Sequence, residues 1–415
     1  VLLVGCSGTG TQIPPSTVDS SGPSTTVPAT TASTGVVGMS PELASEVERL
    51  IALTEELREL EFLEPPKVTV VTDQELAERV RADLAEDMAE VATAEKVYRL
   101  LGLVGPELDL AELYQDLYGE QVAGFYDGDT RELVVPADTT TFSPLQQSTM
   151  VHELTHALTD QHFGMWDSYQ ALVDGDRSDE ASALLAVIEG DAVLTEALFY
   201  ETLDEDEQSE LLDASLNVDR EVFERAPLFV RNGLVFPYES GFRLVLNRFV
   251  EGGHGGVNDM YAQPPSSTEA VFDLSSEAPL VIEDVVLTTA GYEVDSNDDW
   301  GALSWKLMFD QVIGGDEAAV DGWGGDRSIV YTDATNVMLT IVYQGDTAAD
   351  AGEMLVALES YFSVVSGEEA LLADGVWRFD TPGYVAFTST GDTEVVLVVA
   401  DNPAVGAEAL ATLTG

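Results

Sequence analysis

Two histidines four residues apart, with a glutamate beside the first, make up the stretch Val151-His152-Glu153-Leu154-Thr155-His156. In an α-helix, residues i and i+4 share a face, so His152 and His156 present two imidazoles to one point in space. Neutral imidazoles are good ligands for a divalent ion such as Zn2+, and Glu153 is placed to reach a water on the open side of that ion. The chemistry such a set supports is hydrolysis, with the ion as Lewis acid and Glu153 as general base. HExxH is short enough to arise by chance, which would leave a pair of helix-surface histidines. Composition weighs against that: of four histidines in the chain, three (His152, His156 and His162) fall in one short stretch.

A third ligand is expected from a second helix, predicted over Asp179 to Tyr200 and carrying Glu189-Gly190-Asp191-Ala192. On a helical projection Glu189 lies in one stripe with Leu185, Ala186, Ala192 and Val193. A lone carboxylate in such a stripe costs several kcal/mol to bury unless it meets a cation or good donors. A zinc ion on two neutral histidines is such a partner, and Gly190 is expected to let the two helices approach closely. The elements that must hold these groups carry clear signals. Ser143-Pro144 reads as a cap followed by proline at the first helical position, and Leu145 to Gln161 then runs without Gly or Pro. Val151, Leu154 and Leu158 form one packing ridge on that helix, and the two histidines point away from it.

At 415 residues the chain has length for two or three domains. It carries 17 basic and 76 acidic residues, a net charge of −59, which disfavours nucleic acid and anionic headgroups as partners. The acidity reads as a solvated surface whose self-repulsion counterions screen, in preference to a cleft for cationic substrates. Cys6 is the sole cysteine, so no intrachain disulfide forms. Leu3-Val4-Gly5-Cys6 resembles a bacterial lipobox within residues 1–6, the end of a signal segment whose cysteine is lipidated. Residues 7–39, rich in Ser, Thr, Pro and Gly, read as a disordered tether with a reach on the order of 30 Å. No later run is apolar over the length needed to span a membrane. The expectation is therefore an extracytoplasmic protein, lipid-anchored to the bacterial cell membrane through Cys6 alone.

Along the folded part, Ser40-Pro41 opens an amphipathic helix, and Lys67 to Val71 reads as a strand. Asp73 caps a helix through Leu84, and helices follow at Met88 to Leu103 and Asp109 to Leu117. Val122 to Tyr126 and Glu132 to Val135 form a hairpin around Asp127-Gly128-Asp129-Thr130. Such a hairpin just ahead of the HExxH helix suits an extended peptide bound by strand addition, though a purely structural hairpin reads equally well. Asp204 to Ser215 is a charged, solvated helix. Gly252-Gly253-His254-Gly255-Gly256 reads as a flexible loop. From residue 279 the texture changes to strands and helices: Leu280 to Thr289 reads as a strand, followed by helices near Gly301 to Val312 and Thr347 to Val365, strands at Ser328 to Tyr331 and Val337 to Gln344, three further strands and a terminal helix. Nucleophile elbows, phosphate-binding loops and dinucleotide fingerprints are missing, and the acidic loop Asp174 to Asp179 lacks the glycine of an EF-hand.

HELTHALTDQHF followed by EGDA resembles the gluzincin type of zinc metallopeptidase, in which a glutamate on a second helix completes the site. More narrowly it is similar to a group of bacterial lipoproteins classed as zinc metallopeptidases. VAGFYDGDTRELVV, GLVFPYESGFRLV, PPSSTEAVF and GWGGDR extend the likeness over roughly residues 45 to 330. The resemblance implies a mainly helical zincin-like catalytic domain bearing a small edge-strand hairpin, at residues 40–278; with the strands and helices that follow read as a C-terminal α+β domain at 279–415, the expected fold class is α+β. It implies His152, His156 and Glu189 as zinc ligands, Glu153 as catalytic base and a peptide or protein as substrate. Asp191 would orient a histidine; Asp160, one turn past His156, is a similar candidate, with a solvated carboxylate as its plainer reading. Tyr238, His254 and Tyr261 are candidates for stabilising the oxyanion. His162 falls where metzincin-type enzymes place a third histidine, but Thr159 stands where those have a helix-breaking glycine, so His162 is expected to pack or hydrogen-bond beside the helix end. A reading of a different class is a lipid-anchored binding protein whose zinc site is structural or vestigial.

Overall fold

The computed structural model describes residues 39–72, 74–75, 78–79, 88–119, 125–136, 141–218, 220–272, 278–289 and 291–415. The lipobox, nearly all of the tether, most of the helix expected from Asp73 and the first part of the expected hairpin strand lie outside them. The fold is α+β, as expected, with helices in the first two thirds and most strands in the last third.

Helix α1 (Pro41–Arg58) starts on the Ser40 cap and is followed by strand β1 (Lys67–Val71), α2 (Met88–Leu101) and α3 (Leu110–Gly119). Strands β2 (Phe125–Asp127) and β3 (Glu132–Pro136) complete a small sheet of order β1-β3-β2, with β1 parallel and β2 antiparallel to the central strand. Helix α4 (Pro144–Phe163) carries HExxH. Its entry is fixed by a capping box in which the Ser143 side chain and Gln146 side chain each accept the other's backbone N–H, and its exit by Gly164 at φ 59°. Helices α5 (Met165–Val173), α6 (Ser178–Tyr200), α7 (Glu205–Leu216), α8 (Glu221–Arg225), α9 (Leu228–Ala262) and α10 (Glu269–Phe272) follow. The last third runs β4 (Glu293–Asp298), α11 (Ala302–Ile313), α12 (Glu317–Asp321), β5 (Trp323–Thr332), β6 (Val337–Gly345), α13 (Ala348–Ser366), β7 (Leu371–Ala373), β8 (Val376–Phe379), β9 (Tyr384–Ser389), β10 (Glu394–Ala400) and α14 (Pro403–Leu413).

Those strands form one antiparallel sheet of order β4-β5-β6-β10-β9-β8-β7. Side chains alternate across it with period two. Leu339, Ile341, Phe387, Val395, Leu397 and Val399 face one core, whereas Met338, Ala386, Val396, Val398 and Ala400 face another with Leu410 of α14. The first core is shared with Ala183, Ala186 and Val187 of α6 and Leu244 and Val245 of α9, so a single hydrophobic interior runs across residue 279.

Two expectations are corrected. The GGHGG stretch is not a loop: it lies inside α9, which continues through Pro237 and is broken only at Gly253 (φ 60°, ψ −158°). The stretch is the junction of two helical segments: the chain turns at Gly253 and brings Gly256 onto Arg248, where a Cβ would sit 2.7 Å from the carbonyl oxygen, and burial of Val257 and Met260 holds the second segment in place. Leu280 to Thr289 forms no strand; it is anchored instead by Leu280 N–H on the Gly324 carbonyl and Leu287 N–H on the Tyr331 hydroxyl. The last third also has four strands after α13, one more than expected.

Gly190 does permit a close approach, but the helix that approaches is α9. A Cβ on Gly190 would fall 2.4 Å from the carbonyl of Gly241, and one on Gly241 would fall 2.0 Å from the Ala186 carbonyl oxygen. The start of α6 is tied to the last third of the chain by acids. Asp298 accepts the Ser178 N–H, Asp299 the Asp179 N–H, and Asp179 the Thr268 N–H. Burial raises the pKa of Asp179 to about 7, and also raises Asp298 and Asp299, with neighbouring carboxylates adding to the shift of Asp179 and Asp299.

Replacing Gly241 by Ala is expected to cost about 3 kcal/mol or more, because two backbones must separate; a urea midpoint shift without a change in slope checks it. The acid junction predicts a pH effect. Its carboxyls keep protons in the folded chain that the unfolded chain has released, so stability falls as pH rises from about 4 to about 7. Asp299→Asn, which retains the acceptor for Asp179, is expected to flatten that slope in denaturation curves across this range.

Candidate metal centre

Helix α4 is buried all round, not along one ridge alone. Val151 and Leu154 pack on Leu43, Val47 and Leu50 of α1, and the opposite side meets α6. There His152, His156 and Glu189 offer ligand atoms that all lie within 4.8 Å of one another, and the group could hold a metal ion. His152 Nε2 is 3.1 Å and His156 Nε2 3.6 Å from Glu189 Oε2. Exposure is 1 % for His152, 2 % for Glu153, 0 % for His156 and 1 % for Glu189, so all four groups are removed from bulk solvent.

The donor set fits a cation. His156 has no hydrogen-bond partner on either ring nitrogen, although both are buried. Two imidazoles and a carboxylate match the ligand types that zinc takes in three-residue sites. Burial works against charge on Glu189, yet the two rings outweigh it and hold its pKa below the usual carboxylate range. Burial likewise lowers the pKa of His152, but the carboxylates of Glu189 and Glu196 outweigh that and lift it well above the usual imidazole value. Both shifts say that positive charge is favoured between Glu189 and the rings.

Glu153 is divided between two tasks. Its Oε2 accepts the Tyr126 N–H at 2.6 Å, while its Oε1 is buried without a partner. Burial pushes its pKa up to about 7, against the pull of His152 and His156, which shows that the carboxylate sits close enough to feel both rings.

The remaining candidates separate cleanly. Tyr238 lies against the site, its ring stacked on His152 at 6.2 Å between centroids. Asp191 orients neither histidine. About 200° around α6 from Glu189, it faces α1, where it forms an ion pair of 2.9 Å with the fully buried Arg58 and accepts the Tyr261 hydroxyl at 2.9 Å. His254 belongs to the same network, with Nδ1 3.4 Å from Arg58, whose other guanidinium nitrogen donates to Asn258 at 2.7 Å. Asp160 is not a solvated carboxylate either: it is buried, accepts the Tyr126 hydroxyl at 2.8 Å and the Trp166 N–H at 3.0 Å, and contacts no ligand ring. His162 bonds the Glu61 carbonyl at 2.8 Å beside the end of α4, as expected, and is not part of the centre.

The residue that does orient a histidine is Glu196, which the sequence reading missed. Its Oε1 accepts from His152 Nδ1 at 2.6 Å, and its Oε2 accepts the Ser148 hydroxyl at 3.0 Å. The signal was available: Glu196 follows Glu189 by two helical turns and so projects from nearly the same face. Metal affinity of Glu196→Ala is expected to fall about 10–100-fold relative to the parent, the usual effect of removing such a support. Competition with a chelating dye checks this, and Asp191→Asn gives the contrast, since that carboxylate touches neither ring.

A family model described as "Domain of unknown function (DUF8575)" matches residues 289–411. That span holds the large sheet and its helices and lies outside the His152-His156-Glu189 group. No curated protein and no solved structure matches the chain.

Proposed function

We propose that the chain is a zinc-dependent peptidase, held at the cell envelope by lipid on Cys6, with His152, His156 and Glu189 as ligands and Glu153 as general base. The observation that carries the reading is the convergence of those three donors beside a carboxylate whose free oxygen has no other task. When bound there, zinc would polarise a scissile carbonyl and lower the pKa of water toward about 7. The chain's own residues do the rest. Glu153 Oε1 takes a proton from water as that water attacks the carbonyl carbon, and returns it to the leaving amine nitrogen. Glu196 holds the His152 ring in one orientation, and Tyr238, whose ring is stacked on it, is the member of the expected trio that this reading assigns to support developing negative charge. His254 and Tyr261 are committed to the Arg58 network instead.

Two observations favour a different reading. All four groups are at 2 % exposure or below, as in a structural metal site enclosed by protein. At Tyr126, too, the outer edge of β2 is occupied by Glu153, so strand addition there would compete with that bond. An envelope-anchored binding protein with an enclosed ion fits these two facts.

Zinc stoichiometry and cleavage of a peptide library, with and without chelator, distinguish the two. The peptidase reading expects one zinc per chain and chelator-sensitive cleavage. Glu153→Gln should keep the metal and lose about 10²–10⁴-fold in turnover. Glu189→Ala should lose zinc, whereas His162→Ala should keep it. One tightly held zinc and no cleavage of any peptide would establish the binding protein.

A further inference from the structure

The base Glu153 and the acid Asp160 stand seven residues apart on α4, so they project from nearly one face, about 10 Å apart along the axis. A single residue of the hairpin touches both. Tyr126 gives its backbone N–H to Glu153 Oε2 at 2.6 Å and its hydroxyl to Asp160 Oδ2 at 2.8 Å. We infer that Tyr126 and Asp160 form a positioning strut that holds the hairpin against α4 and thereby fixes which oxygen of Glu153 is tied and which is free.

Four features anchor the strut. Asp160 Oδ1 accepts the Trp166 N–H at 3.0 Å, so the carboxylate also caps the start of α5 and cannot swing away. Arg131, at φ 55° in the left-handed region, directs its guanidinium to Asp160 at 3.4 Å and to Asp167 at 2.9 Å. The Trp166 indole donates to Asp129 at 3.2 Å. Gly128 lies directly on that indole: a Cβ there would fall 2.3 Å from the ring, so this turn seats only without a side chain. Tyr126 is buried with its ring between the two bonds. A carboxylate with both oxygens free would rotate about its terminal bond, and proton transfer needs one oxygen held at a fixed place. The Asp160 side chain bonds to none of the three metal-ligand side chains; its route to the chemistry is through Tyr126 and Glu153.

The strut itself is a statement about structure; its consequence for turnover rests on Glu153 being the base. The test uses the purified full chain, with and without added zinc. In the parent, the Tyr126 amide should exchange slowly with solvent, and Glu153→Ala should expose it. Tyr126→Phe and Asp160→Ala are each expected to speed that exchange roughly 2- to 10-fold while the amides of His152 and His156 keep their protection. Asp160→Asn, which keeps an acceptor for the hydroxyl, should restore most of the protection. Zinc content should stay at the parent level in all three variants. With a cleaved peptide, kcat should fall and KM stay within about twofold, because an interaction serving the transition state alone is lost. An unchanged Tyr126 exchange rate in both Tyr126→Phe and Asp160→Ala overturns the strut. So does loss of zinc or of protection along the whole of α4, which would make Asp160 a general stability residue. If exchange responds as expected but the parent cleaves nothing, the strut stands and the peptidase reading falls.

Discussion

A carboxylate held at 1 % exposure, as Glu189 is, demands opposite charge or strong donors against it, and this demand shapes the first two thirds of the molecule. Its partners come from α4, so α4 and α6 must lie side by side with the imidazoles turned inward. Helix α9 packs closely on α6 as well, where Gly190 and Gly241 leave room for the two backbones, and brings Tyr238 against His152. The arrangement of α4 and α6 needs α1 over the outer ridge of α4, where Leu43, Val47 and Leu50 close the core. Burial then acts back on the site. Excluding water strengthens each charge interaction inside, which is why Glu189 is drawn down, His152 is lifted and Glu153 is raised within one small volume.

Much of this was legible in the sequence, for reasons that can be named. The helix period places His152, His156 and Glu189 on facing stripes, and local cap chemistry sets both ends of α4. The alternating strands of the last third announce an antiparallel sheet, although its seven-strand order depends on long-range pairing that no local pattern carries. What failed to show was tertiary. Arg58 sits 133 residues from Asp191, and nothing near it marks it as a buried counter-charge. Asp160, at the end of a long helix, looks like any solvated acid until a hairpin is laid over it. GGHGG has the composition of a loop and becomes helix because its neighbours bury Val257 and Met260. Asp191 is a different kind of miss: its angle from Glu189 already pointed it elsewhere, and Glu196 was the better choice by the same geometry.

The closed state of the centre has to be set against the condition of Glu153. A purely structural ion is served by a filled coordination set and needs no extra acid. Here a second carboxylate is buried next to the donors, with one oxygen bonded and the other unpartnered. An unpaired acceptor in the interior is a standing cost of about 1–3 kcal/mol, and a structural site gives no return for it. Costs of that type are retained where a group must be free to react.

The neighbouring pair Glu189 and Asp191 gives an internal control. Both are fully buried acids on one helix, two residues apart and on opposite faces. The chain neutralises Asp191 from its own resources, with the guanidinium of Arg58 at 2.9 Å and the Tyr261 hydroxyl beside it. Against Glu189 it places no lysine or arginine among the described residues, and the partners it does place are two imidazoles. A fold able to bring a buried arginine to one acid was able to bring one to the other. Titratable ligand nitrogens in its place let the balancing charge be either a proton on His152, whose pKa the carboxylates raise, or a metal ion held by both rings.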